Sequence, residues 1–249
     1  MPPDYTGGPM AALFPASEIL PERESQRIAP GIVLLAHRIG LREQAELLTG
    51  AREQARRLAG TPLRMHQPRW AGGTMSAFMM SVGMHWDPRT RGYVRELEGQ
   101  AVPPLPEVLR GLAVTSVREA AELCPDLHPW AGEGAFVPQT ALINYYSDTA
   151  GMGMHQDLFE ASKAPVVSIS LGNATRFRVG NTEHRGKPWQ DIVLCSGDVL
   201  IFGGPARDIF HGVMEILPDT SPEGLDLREG RINITVRQVE LRPEMQEQR

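Results

Sequence analysis

Arg231-Ile232-Asn233-Ile234-Thr235-Val236-Arg237 alternates residue by residue between polar and aliphatic side chains. Period-two alternation is the signature of a β-strand, whose successive side chains point to opposite faces. One face carries Ile232, Ile234 and Val236, and the other carries two guanidinium groups, an amide and a hydroxyl. On a strand facing solvent this is an ordinary polar face. Pointing into a barrel, the two cations would stand roughly 20 Å apart by strand rise and would need anions, because buried unpaired charge is costly. A dicarboxylic acid is one candidate, since Asp157 could partner only one of them.

Working outward, residues 140–146, 165–171, 176–179, 191–195, 199–202 and 231–241 read as short strands separated by Gly, Asn, Pro and Ser clusters. Upstream the rhythm is helical. Residues 41–59 are amphipathic, with Leu41, Ala45, Leu48, Ala51 and Leu58 near helical spacing and Gly60 and Pro62 as terminators. Residues 104–124 suggest one or two helices, with Gly111 weakening the join. Helices followed by a run of strands imply an α+β class with a β-sandwich or jelly-roll core. Residues 1–30 read as an irregular extension, 31–242 as one domain, 218–230 as an acidic loop and 243–249 as a fraying tail.

A chain of 249 residues that is 41% apolar and 22% charged has the composition of a globular protein. Cys124 and Cys195 are its two cysteines, which argues against a disulfide scaffold or thiolate metal site and suits a reducing cytosol. No apolar run has membrane-spanning length and no secretion signal is read, so a cytoplasmic protein with no membrane partner is expected; a monomer is expected as well. The net charge of −5 gives no global sign of nucleic acid. Residues 38–110 nevertheless hold eleven arginines against seven acidic residues, either a solvated face or a phosphate-facing one.

His155-Gln156-Asp157 with a distant His211 has the composition of the two-histidine, one-carboxylate set that binds non-haem Fe(II) and leaves coordination positions open. The bare tripeptide also suits a surface loop. Asn144 and Tyr146 share a strand face eleven residues before the pair, and both can donate hydrogen bonds to a carboxylate.

Taken together, the chain resembles the AlkB family of Fe(II)- and 2-oxoglutarate-dependent dioxygenases. The resemblance rests on residues 142–146 (LINYY), 155–157 (HQD), 165–172 (PVVSISLG), Gly197-Asp198, Gly203-Gly204, Phe210-His211-Gly212 and the R-x-N-x-T-x-R of 231–237, in the family's order. It extends upstream to Thr74-Met75-Ser76 and to Trp86 with Tyr93, which look like the family's nucleotide-recognition lid at about residues 70–100, ahead of a catalytic core at about 139–240. The resemblance implies a double-stranded β-helix with iron held by His155, Asp157 and His211. It implies that Arg231, helped by Tyr146, takes the distal carboxylate of 2-oxoglutarate, with Arg237, Asn144 and Asn233 around the metal-proximal one.

The implied activity is oxidative dealkylation of N-alkylated bases in DNA, releasing succinate, CO2 and an aldehyde. RNA or tRNA is a variant substrate. Oxidation of a small molecule or protein, and a non-catalytic binding module, are the competing classes. Trp86 and Tyr93 are expected to receive a flipped base, and Arg95, Arg185 and Arg207 are candidate phosphate or base contacts. One departure stands out. Bacterial relatives that repair methylated adenine and cytosine carry an acidic residue two places after the metal Asp, and here that place is Phe159. An aromatic ring cannot accept the exocyclic amine's hydrogen bond; either Glu160 takes over, or Phe159 stacks on the base, or the substrate differs. Met75, Met80, Met84, Met152 and Met154 could line an adaptable pocket or fill the core.

Overall fold

The structure, a computed structural model, describes residues 23–70 and 73–240. The decisive strand lies deep inside it. Arg231–Arg237 is hydrogen-bonded on both sides, antiparallel to Thr140–Tyr146 on one edge and to Val166–Gly172 on the other. These three belong to a seven-stranded sheet in the spatial order Gln26–Ala29, Ile32–Leu35, Val199–Phe202, Val166–Gly172, Arg231–Arg237, Thr140–Tyr146, Phe78–Val82. A second sheet of four strands runs Met152–His155, His211–Leu217, Ala174–Val179, Gln190–Leu194.

Alternation sorts the large sheet's side chains into two cores. Ile232, Ile234 and Val236 join Val167, Ile169, Val199 and Ile201 in a cluster completed by the helices α1 (Leu41–Leu58) and α2 (Glu107–Leu123). The opposite face sends Leu34, Val166, Leu200 and Phe202 against Phe177, Val179, Leu194 and Val213 of the small sheet. The polar face of Arg231–Arg237 points into this space between the sheets, so the solvent-facing reading falls. Two antiparallel sheets closed face to face with helices packed outside form the jelly-roll, or double-stranded β-helix.

α2 continues through Gly111 as one helix. Its stripe of Leu109, Ala113, Val117, Ala120 and Ala121 is buried, and that packing outweighs the ~1 kcal/mol helical penalty of one glycine. Among the described residues no helix is long and apolar enough to cross a membrane.

Three expectations need correction. The stretch 1–30 is not irregular throughout, because Gln26–Ala29 pairs with Ile32–Leu35. The turn between them needs Gly31, at φ +74°, where an added Cβ would lie 2.2 Å from the Gly203 carbonyl oxygen. Residues 1–22 and the expected tail 243–249 lie outside the described residues. The last strand ends at Arg237, short of the expected 241. Finally, Met152–His155 and His211–Leu217 are strands that the pattern did not mark. Both carry a glycine and an irregular register, which breaks the alternation.

Residues 66–101, between the helices, carry short hairpins that include His85–Asp87 paired with Gly92–Val94. This region meets the large sheet at its edge strand, Phe78–Val82.

Candidate active site

His155 and His211 are direct cross-strand partners in the small sheet, which brings their ring centroids to 4.4 Å. The close approach of the two strands depends on Gly212, where a Cβ would meet the Met152 carbonyl oxygen at 2.7 Å. Asp157 follows on the loop beyond His155. The three residues offer ligand atoms that all lie within 4.8 Å of one another. Each imidazole is oriented through Nδ1, which lies 2.9 Å from the Gly153 carbonyl oxygen for His155 and 3.1 Å from that of Ile209 for His211. Donation from Nδ1 leaves the Nε2 lone pair free, the usual arrangement of a metal-binding imidazole. Gln156 pins the turn by donating to the carbonyls of Thr182 and Asp208.

Protonation favours ligation. Burial pushes the Asp157 carboxyl upward, but Arg237, His211, His155 and Arg207 outweigh it and hold it at about 2. Burial, opposed by Asp157, brings His211 down to about 4. The Asp157 carboxylate and the neutral imidazole of His211 therefore face a common point with His155 at neutral pH. That donor set suits Fe(II).

The large sheet supplies the opposite wall. Cross-strand register places Asn144 opposite Asn233 and Tyr146 opposite Arg231. Arg231 is only 1% exposed. Its Nη2 donates to Ser170 Oγ at 2.9 Å, while Nε and Nη1 have no partner among the described residues. Burial lowers its pKa to about 10, so it is still a cation. Tyr146, its hydroxyl pushed up to about 12 by burial, stands beside it with 5.5 Å from ring centroid to guanidinium carbon. The Asn144 Oδ1 is also buried without a partner. A buried cation with idle donors beside a phenol is the fit expected for an absent carboxylate.

A cavity of about 780 Å³ joins these groups to the surface, lined by the three candidate ligands, Asn144, Tyr146, Asn233 and Arg237. At its mouth stand His85, Trp86, Tyr93, Phe159 and Arg185. Trp86 faces Tyr93 across the hairpin of His85–Asp87 and Gly92–Val94 at 5.4 Å, edge to face, and stacks on Phe159 at 4.3 Å and 27°.

The pattern of the 2OG-Fe(II) oxygenase superfamily matches residues 31–237. An "Alpha-ketoglutarate-dependent dioxygenase AlkB homolog" of Caulobacter vibrioides is 39% identical over 177 residues, covering 68% of this chain and 71% of that one. The chain belongs to the AlkB family of 2OG-Fe(II) oxygenases. Its jelly-roll is shared with the solved structure of OsALKBH1, at a TM-score of 0.73 and 32% identity over 86% of this chain and 100% of that one. The "DNA N(6)-methyladenine demethylase ALKBH1C" of Arabidopsis thaliana is 33% identical over 85% of this chain and 49% of its own length. The chain thus spans about half the length of such Arabidopsis relatives. Membership brings Fe(II) and 2-oxoglutarate with it, and the donor sets above fit both.

Within this AlkB-family site some expectations shift. Arg231 lies behind the cavity wall, which Tyr146 beside it helps to form. Glu160 does not line the cavity. It is buried behind the wall, accepting from Tyr93 Oη at 2.6 Å and pairing with Arg207 at 3.1 Å and Arg237 at 3.3 Å. Arg207 is equally enclosed, donating also to the carbonyls of Ala164 and Asp157. Arg95 lies away from the cavity, exposed and paired with Glu240 at 3.3 Å. Met75, Met80, Met152 and Met154 line the cavity, whereas Met84 is core. His66 and Arg69 of the wall carry no motif that would have exposed them, whereas Ser168 and Ser170 lie in the 165–172 stretch and were not marked there as contacts of Asn233 and Arg231.

Proposed function

We propose that this chain oxidatively removes N-alkyl groups from nucleic-acid bases, with DNA as the principal substrate. The observation that carries the reading is one cavity with a His/Asp/His trio at its floor, beside a buried guanidinium with idle donors, and an aromatic mouth. The names of the relatives point the same way.

In this reading His155, Asp157 and His211 hold the metal. Arg231 and Tyr146 hold the distal carboxylate of 2-oxoglutarate, and Asn144, Asn233 and Arg237 surround the proximal one. Bound together, Fe(II) and 2-oxoglutarate supply the oxidising power, dividing O2 between succinate and a hydroxylated N-alkyl carbon. The residues contribute orientation. Bidentate guanidinium pairing fixes one end of the co-substrate, and aligned reactants lower the barrier by removing rotational freedom. The phenol of Tyr146 stays protonated and so remains a donor.

Trp86, Tyr93 and Phe159 offer ring faces to a base withdrawn from its stack, and Arg185 is a lining cation available to a phosphate. The Phe159 ring accepts no hydrogen bond, and Glu160 is already engaged, so stacking dominates recognition of the base. The hydroxylated carbon on nitrogen then collapses to an aldehyde and the dealkylated base.

The experiment is a panel of single-stranded DNA and RNA oligonucleotides carrying N6-methyladenine, 1-methyladenine or 3-methylcytosine. Formaldehyde and succinate should appear together with at least one DNA substrate. Product from RNA alone would move the substrate class, and succinate without any base product would refute the reading.

A further inference from the structure

Asp157, Leu158, Phe159 and Glu160 form a short loop whose two ends are buried and whose middle is not. Asp157 and Glu160 are 9% and 6% exposed, against 52% for Leu158 and 60% for Phe159. The same two cations hold both ends. Arg207 donates to the Asp157 carbonyl oxygen at 2.9 Å and to Glu160 Oε2 at 3.1 Å. Arg237 donates to Asp157 Oδ2 at 2.8 Å and to Glu160 Oε1 at 3.3 Å. Before the loop, Gln156 donates to the carbonyls of Thr182 and Asp208; after it, the Ser162 amide donates to the Val239 carbonyl oxygen. Two large apolar side chains are thus presented outward on a support pinned from both sides.

The two side chains have different surroundings. Phe159 stacks on Trp86 and lines the cavity. Leu158 lines no part of it and joins neither apolar core. A single leucine on a surface is ordinary. This one stands between a candidate metal ligand and a ring of the cavity mouth, so its place relative to the reacting centre is fixed. Arg69 and Arg185 of the cavity lining suit phosphates, whereas an isobutyl group suits an apolar face. A base drawn out of a duplex leaves such a face behind, because its flanking base pairs lose a stacking neighbour. Aliphatic side chains act as wedges in opened base steps of this kind. The pinned loop holds Leu158 in place beforehand, so little order remains to be lost on insertion. A single strand has no paired stack to refill.

We propose that Leu158 enters the gap that the withdrawn base leaves in a DNA duplex, and that it is a specificity-determining residue for paired over single-stranded substrate. The proposal rests on the nucleic-acid reading given above. Neighbouring residues then divide the work. The Phe159 ring receives the base that leaves the stack, and the Leu158 isobutyl group occupies the place it vacated.

The test is binding without turnover, with Mn(II) and 2-oxoglutarate under nitrogen. A DNA oligonucleotide carrying 1-methyladenine next to 2-aminopurine is used alone and in a duplex. Anisotropy of an end label gives affinity, and 2-aminopurine fluorescence, which rises when stacking is lost, reports opening of the duplex. Leu158→Ala should weaken duplex binding about tenfold and suppress the fluorescence rise. Its affinity for the single strand should stay within about twofold, since no stack is refilled there. Leu158→Met keeps an apolar chain of similar volume and should bind the duplex within about twofold of the unmodified protein. Unchanged duplex binding in Leu158→Ala, equal weakening on both forms, or an unmodified protein that binds the single strand alone would overturn the proposal and leave the nucleic-acid reading standing. Failure of the unmodified protein to bind either form would overturn that reading and the proposal with it.

Discussion

The two ends of the Arg231–Arg237 strand carry the same side chain in opposite circumstances. Arg237 meets Asp157 and Glu160 within 3.3 Å, and burial notwithstanding, these anions raise its pKa. Arg231, six residues along the same face, has among the described residues one hydrogen-bond partner, Ser170, with the Tyr146 ring beside it and two nitrogens idle. The difference separates a charge the fold completes for itself from a charge left for something that arrives later. An unsatisfied buried cation persists in a folded protein only where other interactions support it, and such sites are concentrated where ligands bind.

Breaking the paired end should have the larger effect on stability. Arg237→Met leaves two buried carboxylates short of a counter-ion, and chemical denaturation should show a loss of about 3–5 kcal/mol. The orphaned end should respond with the opposite sign. Arg231→Met removes an unpaired buried charge, so metal-stripped protein should be more stable by about 1–4 kcal/mol. The same variant should lose the stabilisation that 2-oxoglutarate gives the unmodified protein, about 2.7 kcal/mol at a hundredfold excess over Kd. A destabilised Arg231→Met with intact 2-oxoglutarate response would erase the contrast.

Two smaller changes sharpen it. Phe159→Ala removes the ring stacked on Trp86, and fluorescence-anisotropy titration should show oligonucleotide binding weakened by about 1 kcal/mol. Its 2-oxoglutarate affinity should be unchanged, since Phe159 is at the mouth. Ser170→Ala deletes the one side-chain hydrogen bond Arg231 has among the described residues, and thermal unfolding should report about 1 kcal/mol lost. A larger loss would mean that Ser170, not an incoming carboxylate, is the principal partner of Arg231.

Alternation made the Arg231–Arg237 strand readable, because period two survives any context. Which way its polar face pointed was not readable, since that depends on the second sheet closing over it. The HQD and distant His were legible as composition, and the cross-strand pairing of His155 with His211 supplies the geometry. The 211–217 strand itself was hidden by Gly212 and a register shift at Arg176/Phe177 of its partner. Glu160 and Arg95 read as free charges for the same reason. Their partners, Tyr93, Arg207 and Arg237 for one and Glu240 for the other, are remote in sequence. Arg185 illustrates the converse, a surface arginine in a loop that the fold brings to the rim of the cavity.

Attachment of residues 66–101 to an edge strand has a consequence for how such a protein can change. Phe78–Val82 is bonded to the large sheet on one side only, by Thr140–Tyr146. Insertions and substitutions in residues 66–101 outside Phe78–Val82 leave the ladders of the interior strands intact, whereas Arg231–Arg237 is constrained by two neighbours and two cores. That peripheral segment is therefore freer to vary than the strands carrying the candidate ligands, and a graft exchanging it between relatives has a natural seam at that edge.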